Sequence, residues 1–119
     1  VVNIELPLTP KSLFSGHIVQ GHIDGVGKII NIQNKENSKI FTIKTPKGIS
    51  QYLVAKGSIA INGVSLTIIK VLKNKFTVGI IPYTFHNTTF KKIKIGDVVN
   101  IEIDIMAKYI KKFYENKKY

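Results

Sequence analysis

The sequence contains no cysteine, no tryptophan and no arginine, and only one methionine and 7 acidic residues among 119. Without cysteine there is no disulfide, no thiol nucleophile and no thiolate ligand for a metal. No apolar run approaches the roughly 20 residues a helix needs to cross a bilayer, and nothing resembles a signal peptide. A soluble, cytoplasmic protein is therefore expected, with no membrane partner. The shortage of acid leaves 18 lysines to set a formal charge of +11, which invites a nucleic-acid reading. The distribution argues against it. Most lysines stand in turns ("NKENSK", "LKNK", "FKKIK") or in the last dozen residues, and the strands lack aromatics spaced to stack bases.

What is present suits one domain. A chain of 119 residues that is 44% hydrophobic can bury a single core. Short β-branched runs recur at regular spacing: "HIVQGHI", "VGKIINI", "KIFTIKT", "GSIAI", "VSLTIIKVL", "FTVGII" and "DVVNIEID". Turn signals separate them, among them "PKG", "KNK" and Asn62-Gly63, a dipeptide that favours the type I′ hairpin turn. The pattern predicts an antiparallel barrel or sandwich. From Ile105 the period changes, and Ile105, Met106, Tyr109, Ile110, Phe113 and Tyr114 take helical spacing with Lys108, Lys111 and Lys112 on the other side. Asp104 precedes this amphipathic helix as an N-cap. Its stripe must be buried on its own barrel or against another subunit.

An internal echo bears on domain organisation. The chain opens "VVNIEL", and Val98 to Ile103 read "VVNIEI", identical at five of six positions. The second copy follows "KIGD" as a last strand, while the first is followed by "PLTPKS". Residues 1–12 are therefore expected to be the closing strand of a preceding, similar barrel plus a linker. Residues 13–104 would form one complete barrel, and 105–119 a helix with a basic tail.

The segment "SGHIVQGHIDGVG" holds two histidines five residues apart, each directly after a glycine. A metal site is the simplest guess. On a continuous strand, however, side chains alternate faces, so His17 and His22 would point to opposite sides. One histidine should be structural and the other should look outward, with Gly16 and Gly21 allowing close approach of backbone or ligand. "GHIDGVG" is not a dinucleotide fingerprint, because no strand-turn-helix follows it. Ser65 and Thr67 lie two apart in "NGVSLT", so both hydroxyls face one side of a strand, opposite Val64, Leu66 and Ile68.

Taken together, "GHIVQGHIDGVG", "YLVAKGSIAINGVSLTI", "IIPYTFHNTTF" and "KIGDVVNIEIDIMAKYI" closely resemble, in order and spacing, the C-terminal half of the riboflavin synthase alpha chain. The resemblance runs from Leu13 to Ile110. It implies an all-β, six-stranded antiparallel Greek-key barrel, two per subunit, with a C-terminal helix that assembles a homotrimer. It also implies a dismutation in which two molecules of 6,7-dimethyl-8-ribityllumazine exchange a four-carbon unit to give riboflavin and a pyrimidinedione, without metal or redox cofactor. The family's site lies between the N-terminal barrel of one subunit and the C-terminal barrel of its neighbour, each holding one lumazine. A non-catalytic lumazine- or flavin-binding relative is the alternative the same resemblance allows.

By position, the resemblance makes His22 the active-site histidine, for proton transfer or positioning, with Gly21 and Ile23 contacting ligand. His17 matches a second histidine less directly tied to chemistry. Ser65, Leu66 and Thr67 match a ligand-contacting Ser-Leu-Thr, the two hydroxyls bonding the lumazine ring. Lys56 matches a ligand-contacting lysine. The run Ile81, Pro82, Tyr83, Thr84, Phe85 and His86 matches a loop that closes over the ligand, in which Tyr83 and His86 vary. Asp104 matches an acid proposed to act in the site, and helix capping explains it equally well.

Overall fold

A computed structural model describes residues 2–4 and 16–116. Six strands close into one antiparallel barrel: β1 (Gly25–Lys35), β2 (Ser38–Lys44), β3 (Ser58–Ile61), β4 (Val64–Val71), β5 (Lys75–Ile80) and β6 (Val98–Ile103), in the order β1-β2-β5-β4-β3-β6. Hairpins join β1 to β2, β3 to β4 and β4 to β5, while β2 to β3 crosses the barrel end, giving a Greek-key path. A short helix α1 (Pro82–Asn87) follows β5, and α2 (Ile105–Asn116) follows β6. The expected barrel and terminal helix are both present. The proposed linker and the basic tail lie outside the described residues.

Strict alternation builds the interior. Ile59 and Ile61 of β3, Leu66 and Ile68 of β4, Phe76 and Val78 of β5 all point inward and are nearly inaccessible. The run "IIKV" would break this pattern. A bulge between Ile68 and Lys70 leaves Ile69 and Lys70 both exposed and returns Val71 to the core. Asn62 and Gly63 have φ of 50° and 79°, the two positive values a type I′ turn requires between Ile61 and Val64. Phe90, fully buried on a 3₁₀ turn, meets Phe41 edge-on at 5.3 Å between ring centres and plugs one barrel end.

One expectation needs correction. "HIVQGHI" does not join the barrel ladder: residues 17–24 form an irregular strap outside it, and the ladder begins at Gly25. Positive φ at Gly16 (77°) and Gly21 (80°) removes the strict two-residue period on which the opposite-face argument for His17 and His22 rested. For α2, whose stripe was expected on its own barrel or against another subunit, the first alternative is not taken: the helix turns its basic side toward the barrel. Ala107 packs on the core, Lys108 pairs with Asp24 at 2.5 Å and Lys111 stands 5.7 Å over the Tyr52 ring. The apolar stripe of Met106, Tyr109, Ile110 and Phe113 faces outward, each residue more than half exposed.

Candidate functional site

The outer wall of the barrel is built by the residues that alternate away from the core. Glu102 of β6 lies directly opposite Ala60 of β3, and Ala60 opposite Ser65 of β4, so the three share one outward row. Ser58, Thr67 and Gly79 form the next row. Gly79 contributes no side chain there, and the Ile69 side chain leans over it. The result is a shallow apolar patch edged by the hydroxyls of Ser65 and Thr67. As expected, both hydroxyl residues lie opposite Val64, Leu66 and Ile68, and Leu66 points into the core, 6% exposed.

The strap covers part of this wall. A Cβ on Gly16 would come within 2.5 Å of the Ser65 Oγ, so only glycine permits the approach. The next residue, His17, brings Nδ1 to 2.6 Å from that Oγ. A hydroxyl both donates and accepts, so Ser65 engaged by one imidazole nitrogen keeps capacity for a second partner. The Nε2 of His17 is buried and has no hydrogen-bond partner among the described residues. Further along, Gln20 and Gly21 donate their backbone N–H groups to the two oxygens of Glu102 at 2.7 and 2.8 Å. Asp24 then ends the strap: its N–H reaches the Ile101 carbonyl, and its carboxylate accepts from the Ile103 N–H at 2.7 Å.

The residues singled out in the sequence fall in several places. His17 touches Ser65, while His22 is exposed on the strap, its neighbours anchored on either side. Gly21 needs its positive φ and leaves open space where a Cβ would stand, so its role is conformational and not close approach. Lys56 is exposed, with φ of 70° and its N–H on the Ile68 carbonyl. Ile81 to His86 is not a loop. Pro82 opens helix α1 in the first turn, where the missing N–H costs nothing, and Asn87 and Thr88 side chains donate to the Tyr83 and Thr84 carbonyls at its end. Pro82, Phe85 and His86 line a cleft of about 340 Å³ beside the β1–β2 turn, where Lys39 lies 4.4 Å over the Phe85 ring. Ile23 lines a second cleft of about 300 Å³ with Asn3, Asn62 and Thr89. Asp104 caps α2, its Oδ1 accepting from the Met106 N–H at 3.0 Å.

Sequence reading missed Glu102 and Asp24. Alternation places Glu102 on an outer face, where an acid is ordinarily solvated, yet it is 4% exposed. Among the described residues, no three histidine, aspartate or glutamate side chains cluster as metal ligands would.

A closed Greek-key barrel with a hydroxyl-edged apolar patch on its outer wall, partly roofed by a glycine-hinged strap, has the form of a small-ligand-binding β-barrel. The chain belongs to the lumazine binding domain family, which matches residues 20–104. It is 44% identical over 116 residues to riboflavin synthase of Actinobacillus pleuropneumoniae, covering 98% of this chain and 54% of that protein. Against riboflavin synthase of Bacillus subtilis (strain 168) it is 39% identical over 112 residues, covering 94% and 52%. The chain thus spans about half the length of the curated relatives it matches. Among solved structures, LumP complexed with 6,7-dimethyl-8-(1'-D-ribityl) lumazine superimposes with a TM-score of 0.70 at 25% identity, over 77% of this chain and 52% of that one. LumP complexed with riboflavin gives the same TM-score at 27% identity, over 77% and 50%.

Proposed function

We propose that this chain is one lumazine-binding half of a riboflavin synthase, contributing to the dismutation of two 6,7-dimethyl-8-ribityllumazine molecules into riboflavin and a pyrimidinedione. The observation that carries the reading is the open patch around Ser65 and Thr67. Two hydroxyls two residues apart on one rigid strand suit the polar edge of a flat heterocycle, while Ile69 and the bare Gly79 offer an apolar surface for its face. The patch is a wall and not an enclosed pocket, as a site completed by a second barrel would be. Dismutation brings two ring systems face to face, so orientation across such a shared site supplies much of the acceleration.

In this reading Ser65 and Thr67 bond the pyrimidine edge, with His17 orienting the Ser65 hydroxyl. His22 stands where it can meet a proton on the ligand, and Gly21 and Ile23 present backbone beside it. Ile81, Pro82, Tyr83 and Thr84 flank the ribityl chain. The helix α2 joins subunits into a homotrimer through its outward stripe. Asp104 is assigned to its capping bond first, and any part it plays on the ligand follows from that fixed position. Alone, the chain binds lumazine and turns it over poorly.

Fluorescence titration with 6,7-dimethyl-8-ribityllumazine and riboflavin, at low and high salt, tests this. Saturable binding insensitive to salt is expected, and riboflavin formation should rise on mixing with a separately produced N-terminal barrel. Salt-sensitive binding to single-stranded nucleic acid with indifference to lumazine would sink the reading. The LumP complexes favour a second reading, a ligand-holding protein without turnover. Tight binding with no riboflavin formed after complementation would select it.

A further inference from the structure

The strap that carries His22 is tied down at two points, and the stronger is a buried carboxylate. Glu102 is 4% exposed on a face of the barrel where its strand neighbours Val98 and Asn100 are solvated. Burying a carboxylate is costly unless its oxygens are met by donors. Here both are met by successive amides of one segment, Gln20 N–H on Oε2 and Gly21 N–H on Oε1. Immediately after these two amides the backbone turns, with φ of 80° at Gly21. Three residues on, Asp24 fastens the other end to Ile101, Ile103 and Lys108. His22 and Ile23 are therefore exposed side chains on a backbone fixed at both ends. A solvated loop would not need an acid drawn under it. An imidazole held at one place would.

We propose that Glu102 is a positioning residue of the ligand half-site, acting through the Gln20–Gly21 amides to fix the strap backbone that carries His22. The inference rests on the lumazine-site reading above. Glu102→Gln keeps the shape but sets an NH2 group against one of the two amides.

The test is fluorescence titration of the chain with 6,7-dimethyl-8-ribityllumazine, at a temperature where circular dichroism shows every variant folded. Glu102→Gln should weaken binding about tenfold, the scale of a lost charge-assisted hydrogen bond. Because Glu102 acts through His22, adding Glu102→Gln to His22→Ala should weaken binding no further than His22→Ala alone. A merely structural acid would instead give losses that multiply, which overturns the proposal, as does wild-type affinity in Glu102→Gln. Glu102→Asp gives a second arm should Glu102→Gln not fold. It keeps the carboxylate but draws it back by one methylene from the Gln20 and Gly21 amides, and should weaken binding in the wild-type background and not in His22→Ala. Wild-type affinity in Glu102→Asp would overturn the inference. If the wild-type chain itself fails to bind, the site reading falls and takes this inference with it. Wild-type binding with an unaffected Glu102→Gln removes this inference alone.

Discussion

Single residues divide here between those that shape the wall and those that close the core. Ser65 belongs to the first group and also partners His17. If Ser65 bonds the ligand as proposed, its replacement by alanine should lower lumazine affinity in the titration about fivefold. It also leaves the His17 Nδ1 without its partner, so urea unfolding should show a loss of about 1 kcal/mol. Thr67 is exposed, so Thr67→Ala should weaken ligand binding comparably and leave the unfolding midpoint almost unchanged. Gly27 belongs to the second group. A Cβ there would lie 2.6 Å from Ile43, 2.8 Å from Ile101 and 3.0 Å from the Lys44 carbonyl. Gly27→Ala should therefore destabilise the barrel by about 1–3 kcal/mol, read from thermal or urea unfolding. The pairing of Ser65 with Thr67 was legible from spacing alone. The contact of His17 with Ser65 was not, because a glycine-hinged strap has no fixed side-chain period.

At the level of elements, α2 is the informative one. Its capping by Asp104 was visible in the sequence, and Asp104→Ala should cost about 1 kcal/mol of stability by loss of that bond. If the residue acts only as a cap, lumazine affinity measured on the folded variant stays at the wild-type value. The direction the helix faces was not visible, since an amphipathic stripe shows which residues share a side and not what that side meets. The basic side goes to the barrel because Asp24 and Tyr52 await Lys108 and Lys111 there. The Lys111 ammonium is held above the ordinary lysine value chiefly by its hydrogen bond to Glu115. What the pair contributes is present below that ordinary value and is lost as pH rises through the raised one. Glu115→Gln should thus leave the melting temperature near neutral pH almost unchanged, because the pair is exposed to solvent.

The whole molecule has an apolar helical stripe on its outside and an open wall beside Ser65 and Thr67, both accessible to a partner. Ile110 and Phe113 stand at the centre of the stripe, 64% and 65% exposed. If α2 assembles subunits, sedimentation equilibrium should show a trimer for the wild type and a monomer for the Ile110→Lys, Phe113→Lys double variant, with unchanged far-UV circular dichroism. A monomeric wild type would remove the assembly role from this helix.

The sequence by itself determined the strands, the hairpin turn at Asn62-Gly63, the inward set of Ile, Val and Phe, the terminal helix and the family. Each of these follows from a period or a turn residue within a few positions, and local chemistry suffices to write them. Only the tertiary structure decided that "HIVQGHI" is a strap and not a strand, that Pro82 to His86 coils into a helix, and that Glu102 is buried. The bonds from the strap to Glu102 join residues 81 and 82 positions apart. Nothing within either segment encodes that meeting. It is imposed when six strands close into a barrel and bring the outer face of the last one beneath the approach to the first.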